Sequence, residues 1–223
     1  MTSASAALTP DRSSLDEPFV FVGERLWLDF VNSDDAARRQ HGSQSDALGG
    51  FEDFTRWLSE ARVLDADRAG ALLRRAQQQP TGASGALHEA RRLRSMLRAL
   101  AERQGGDPEL ATQVATQVAI GEINRVLGRS AGTRRVEPHT DGGFVRNFVT
   151  VGDVFAGLLV PVIESAADSL VNGELARVHV CADPRCGRVF FDASRNGKRR
   201  WCEMATCGNR AKAARHRRKG KLR

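Results

Sequence analysis

All four cysteines of this chain fall in its last forty-three residues, as two pairs: Cys181 and Cys186, then a gap of fifteen, then Cys202 and Cys207. Two pairs with four residues inside each can bring four thiolates to about 2.3 Å from one tetrahedral zinc ion. The first pair sits on a knuckle containing Asp183-Pro184. Between the pairs, Val189 to Phe191 and Lys198 to Trp201 read as two strands joined through Ser194-Arg195-Asn196-Gly197, whose Asn-Gly step is a strong hairpin signal. Gly208 to Lys219, rich in Ala and Arg, reads as a helix. Knuckle, hairpin and helix give the order of a treble-clef zinc finger. The competing reading, two disulfides, belongs to an oxidising compartment. Four thiolates fill the tetrahedron and leave no position for water, so one structural zinc is expected rather than a catalytic one. So short a segment cannot offset its own chain entropy, so it is expected to unfold when the metal is chelated.

The same segment carries the chain's charge. Residues 181–223 hold fourteen Lys and Arg against Asp183, Asp192 and Glu203, a net +11, whereas the other 180 residues are net −4. Charge so divided points to an acidic partner for one end only. Arg199, Arg200, Arg210, Lys212, Arg215, Arg217 and Arg218 are the candidate nucleic-acid contacts, because a metal-fixed cationic helix can be matched to a phosphate track. Asn209 is either a helix cap or a base reader, and Trp201 either packs beneath the hairpin or stacks on a base. Double-stranded DNA is the leading partner. Structured RNA or a ribosomal surface, and docking onto an acidic protein, are the alternatives.

Upstream, periodicity marks a helix-dominated α+β body with small strands. Phe19 to Val22 and Leu26 to Val31, separated by Gly23, read as two short strands or as a strand and the start of a helix. Helices are expected over residues 51–62, from an Asp65 cap to just before Pro80, from Ser84 to Gly105-Gly106, and from Asp107-Pro108 through Leu127. A hairpin is expected over 134–150, turning at Asp141-Gly142-Gly143, and then a buried helix over 153–170, kinked or offset at Pro161 and ended by Asn172-Gly173. The division expected is a flexible tail at 1–17, a body at 18–176 and the finger with its basic tail at 177–223.

Nothing in the body signals an enzyme. His41, His88 and His139 are isolated, and neither a glycine-rich phosphate loop nor a nucleophile elbow occurs. If the body holds an unidentified small molecule, Trp27, Asp29 and Asn32 are the candidate wall, although a core position for Trp27 and helix or turn capping by Asp29 and Asn32 is the leading reading. The longest strongly apolar run, Val154 to Ile163, is too short for a membrane span, and the first seventeen residues lack the pattern of a secretory signal, so a cytoplasmic, non-membrane protein is expected.

Cys207-Gly208-Asn209-Arg210, with Ser194-Arg195-Asn196, Arg199-Arg200-Trp201-Cys202 and Ala211-Lys212-Ala213 around it, resembles the CGNR-type zinc finger. Gly23-Glu24-Arg25-Leu26-Trp27-Leu28-Asp29-Phe30-Val31-Asn32 resembles the opening of the ABATE domain that precedes this finger in a family of bacterial proteins, with Ser33 where the pattern usually has Thr. The resemblance implies a two-domain transcription regulator linked to stress responses, with a sensing or assembly domain ahead of a treble-clef DNA-binding end. A single finger offers few base contacts, so a homodimer is expected for useful site selection.

Overall fold

The first regular element among the described residues is α1 (Leu26–Asn32), a seven-residue helix whose Trp27, Leu28, Phe30 and Val31 are completely buried. So short a helix is unstable alone, and its apolar burial, roughly 1.5–3 kcal/mol for each large side chain, holds it in place. This computed structural model describes residues 19–34, 46–102, 108–138 and 143–220. Of the two readings of the opening segment, the helix is found for Leu26 onward, while Phe19 to Val22 run without strand pairing. The flexible tail at 1–17, the Gly105-Gly106 stop, the Asp107 cap, His41 and His139 lie outside the described residues.

Helices α2 (Phe51–Glu60), α3 (Ala66–Gln78), α4 (Pro80–Glu102) and α5 (Pro108–Arg129) follow and share one apolar core with α1. The Asp53 carboxylate accepts the Gly50 N–H at 3.0 Å to open α2, and the Asp65 carboxylate accepts the Arg68 N–H at 2.8 Å to open α3, as its capping chemistry requires. Helix α4 starts at Pro80, four residues earlier than expected from Ser84. Proline has no N–H to lose in a first turn, so it starts a helix where it would break one inside. Its Ala90, Leu93, Leu97 and Leu100 form the spine of the core, against Trp57, Phe30 and Phe54, with Phe30 and Trp57 edge to face at 5.0 Å. Glu89 and Glu122 bind Arg92, Arg125 and Arg129 across the α4–α5 crossing, a network that fixes the helices' register more than it adds stability.

A hairpin follows, β1 (Gly132–Pro138) with β2 (Phe144–Thr150), paired antiparallel from Gly132 opposite Thr150 to Pro138 opposite Phe144. Helix α6 (Val160–Val171) is shorter than the periodicity suggested, because residues 153–159 form turns. Pro161 stands in its first turn and neither kinks nor offsets it. Asn172 ends α6, and Gly173 takes φ +66, the left-handed conformation that glycine tolerates after a helix.

After a short 3₁₀ turn (Glu174–Arg177) come β3 (Val178–Val180) and β4 (Val189–Phe191), antiparallel with Val178 opposite Phe191. This corrects the expected pairing of Val189 to Phe191 with Lys198 to Trp201. The ladder partner lies before the first cysteine, and the knuckle is the turn between the two strands. Residues 198–201 do not form a strand because Asp192 closes their loop: its carboxylate accepts the Ser194 and Arg199 N–H groups, both at 2.8 Å. The Asn196-Gly197 turn itself is present, with Gly197 at φ +60. The last described element is α7 (Asn209–Gly220). Among the described residues the fold is thus a helix-dominated α+β body with one small antiparallel strand pair and a C-terminal zinc finger built on a second. Val178, Val189 and Phe191 of the finger's hairpin belong to the same apolar cluster as the body helices.

Candidate metal centre and its basic helix

Backbone pairing between β3 and β4, extended by Cys181 N–H donating to the Arg188 carbonyl at 2.8 Å, brings Cys181 and Cys186 to one side of the knuckle. The loop returns when the Ala182 N–H donates to the Arg200 carbonyl at 2.8 Å, which places Cys202 beside them, and a single wide turn over Met204–Gly208 brings in Cys207. The four sulfur atoms lie within 4.8 Å of one another, and all four residues are buried. The Sγ atoms of Cys186 and Cys202 are 3.5 Å apart, and those of Cys202 and Cys207 are 3.7 Å apart. A tetrahedron with metal–sulfur bonds of about 2.3 Å has edges of roughly 3.8 Å, whereas a disulfide brings sulfurs to about 2.05 Å. The donor set therefore fits one structural zinc ion. The Cys202 thiol, hydrogen-bonded to Cys186, holds that thiol down at about 5, and the same bond pushes Cys202 far up. A dication is what allows all four to be thiolates together.

Around the sulfurs stands a second layer. Arg210 donates from its guanidinium to Cys207 Sγ at 3.0 Å, and its Nε lies 2.8 Å from the carboxylate of Asp183. The bond to the sulfur and the neighbouring carboxylate raise the guanidinium's affinity for its proton. Zinc with four thiolates is a dianion in all, so a cation on the sulfur shell lowers its cost in a buried place. Arg210 is thereby the joint between knuckle and helix, with its fork turned to the metal site. Gly208 is buried, and a Cβ there would come within 2.4 Å of Met204 Sδ. Asn209 is exposed, and its side-chain amide donates to the Ala205 carbonyl at 3.0 Å, which ties down the preceding turn.

The remaining cations divide. Lys212, Arg215 and Arg217 are exposed along α7, and no described acidic side chain pairs with any of them. Arg218 lies on the same helix, but its side chain is outside the described residues. Arg199 is turned inward: it donates to the carbonyls of Trp201 and Cys202, pairs with Glu24, and lies 4.7 Å over the Phe190 ring. Arg200 lies over the Trp201 indole at 5.3 Å. The half-buried Trp201 packs against the cysteine cluster.

Trp27, Asp29 and Asn32, the candidate ligand wall, are used in packing. Trp27 is 0% exposed and donates from Nε1 to Ser169 Oγ at 2.9 Å. Asp29 accepts the Gly23 N–H at 2.7 Å, and burial pushes its carboxyl up to about 6. Gly23 lies so close that a Cβ would come within 2.7 Å of the Asp29 nitrogen. Asn32 accepts the Val189 N–H at 2.9 Å and donates to the Val189 carbonyl at 2.8 Å. The Gly23-to-Asn32 segment is a clasp on the finger, completed by Phe191 N–H donating to the Gly23 carbonyl at 3.0 Å. Arg25 joins it by pairing with Glu174 at 2.6 Å while lying 3.9 Å over the Phe191 ring.

Two residues of the site were not singled out in the sequence. Asp183 had a signal, as one of three acids in a strongly basic segment and flanked by zinc ligands. Arg98, on α4, donates to the carbonyls of Val31 and Gly187 and so joins α1 to the knuckle; nothing in its local sequence distinguishes it from the neighbouring arginines.

Two family models match the chain. One, ABATE, has the description "Putative stress-induced transcription regulator" and matches residues 24–173; the other, the CGNR zinc finger, matches residues 177–220. No curated protein matches it. Both families are of regulator and zinc-finger type rather than enzyme families. No described helix is long and apolar enough to cross a membrane.

Proposed function

The chain belongs to the ABATE family and carries a CGNR zinc finger behind that domain, and from this premise we propose that it is a DNA-binding transcription regulator. The zinc site orders α7, and Lys212, Arg215, Arg217 and Arg218 lie along backbone phosphates. The observation that carries this reading is the pairing of Arg210 with Cys207 and Asp183, which clamps a helix without acids to a rigid centre while Lys212, Arg215 and Arg217 stay exposed. Phosphate contacts of this kind supply affinity and position rather than sequence readout. The body, residues 18–176, supplies ligand sensing, assembly of a second copy, or both. A hollow of about 470 Å³ between α3 and the β2–α6 region, walled by Val63, Leu72, Phe148, Val154 and Leu158, supports a sensing role.

The test is duplex affinity against salt. Neutralising about six phosphates gives a slope of log affinity on log salt near −5, and removing Arg215 or Arg217 lowers that slope by about one unit each. A flat salt dependence rules out the nucleic-acid reading. Duplex RNA binding more tightly than DNA at equal salt would instead favour an RNA partner.

A further inference from the structure

Between the first knuckle and α7 runs a groove of about 550 Å³. Its walls differ in chemistry. Pro184, Trp201, Ala211 and Ala214 give an apolar side, where the two alanines leave ring-sized space against α7; Arg185, Arg215 and Arg217 stand around it. The one acid in the lining, Asp183, is already engaged by Arg210 at 2.8 Å and by Arg185 at 3.5 Å. An indole wall bordered by cations matches a flat ring attached to a phosphate. A base within a duplex has both faces covered by its neighbours and cannot offer one to a groove wall, whereas an unpaired base can.

We propose that this groove holds one unstacked nucleotide, with the base against Trp201 between Pro184 and Ala214 and its phosphates at Arg185, Arg215 and Arg217. The finger accordingly prefers single-stranded or locally opened nucleic acid to a closed duplex. This rests on the nucleic-acid reading above and names the form of the polymer. An acidic peptide would satisfy the arginines and leave the apolar wall unused.

The experiment uses the zinc-loaded full chain with a short labelled single-stranded DNA, the same sequence as RNA, and its closed DNA duplex, at matched salt. The expected result is a single strand bound about tenfold more tightly than the duplex, with quenching of Trp201 emission, since Trp27 and Trp57 are buried. Ala214→Leu, on an exposed helical position, fills the groove and removes that margin while duplex affinity and zinc content stay the same; Trp201→Ala removes it too. The RNA arm decides which sugar is preferred, and either preference satisfies the proposal. A duplex bound as tightly as the strand, a margin that survives Ala214→Leu, or an oligoglutamate that displaces the strand as well as an oligonucleotide does, each overturns it. Duplex binding with the expected salt slope but no single-strand margin sinks the groove and leaves the regulator reading intact; absence of binding to every polymer sinks both.

Discussion

Asn32 holds the Val189 N–H and carbonyl at 2.9 and 2.8 Å, so a side-chain amide on a helix takes the place of one residue of a third strand. Removing it leaves two backbone groups of a buried strand unpaired, so Asn32→Ala should cost about 1–3 kcal/mol by urea unfolding. A loss below about 0.5 kcal/mol would show that water replaces both bonds. Asp29 carries the reverse sign of the usual carboxylate. Burial raises its folded value to about 6, above the ordinary 3.8, so the folded state binds the proton more tightly than the unfolded chain does. Its contribution is complete below about pH 4 and is lost as pH rises through about 6, where the buried charge must be carried. Asp29→Asn keeps the acceptor for Gly23 and removes the charge. Its stability relative to the parent should therefore grow between about pH 4 and pH 7. An unchanged difference at both pH values would exclude a proton held there.

At the scale of elements, the finger is two things joined at the knuckle. Strands β3 and β4 are held from the body side through Val178, Val189 and Phe191, whereas α7 packs on the Met204–Gly208 turn and depends on Cys207 and Arg210 for its position. The expectation that the whole segment unfolds on chelation therefore narrows. Chelation should release amide protection across α7 and at Gly208, while the Val189, Phe191 and Asp192 amides, bonded to Asn32, Gly23 and Arg177, keep theirs. Uniform loss of protection across residues 178–220 would show that the metal holds the strands as well. Elements governed by local rules were legible: the Asp65 cap, the α2 stripe of Phe51, Phe54, Leu58 and Ala61, and the Asn196-Gly197 turn all follow from neighbours within a few residues. The two prolines were harder to place because a first-turn proline and an interior one look alike until the helix start is known.

For the whole molecule, the clasp ties the body to β4 of the finger, so body and finger are expected to melt together on heating. Loss of Trp27 and Trp57 fluorescence and release of zinc should occur in a single thermal transition, and Val189→Ala, at a fully buried seam position, should lower both together. Two resolved transitions would mean that the seam transmits little. The sequence alone determined the metal centre and the split in charge. Thiolates at fixed short spacings have few ways to converge, and a run of arginines without acids stays at the surface in almost any fold. Only the tertiary structure decided that β4 pairs upstream with β3, that Arg199 turns inward and Arg210 binds Cys207 and Asp183 while Lys212, Arg215 and Arg217 remain outside, and that the Gly23-to-Asn32 segment grips the finger. The reason is distance along the chain. Asn32 and Val189 are 157 residues apart, and Arg98 and Gly187 are 89 apart, so no local window contains both halves of either contact.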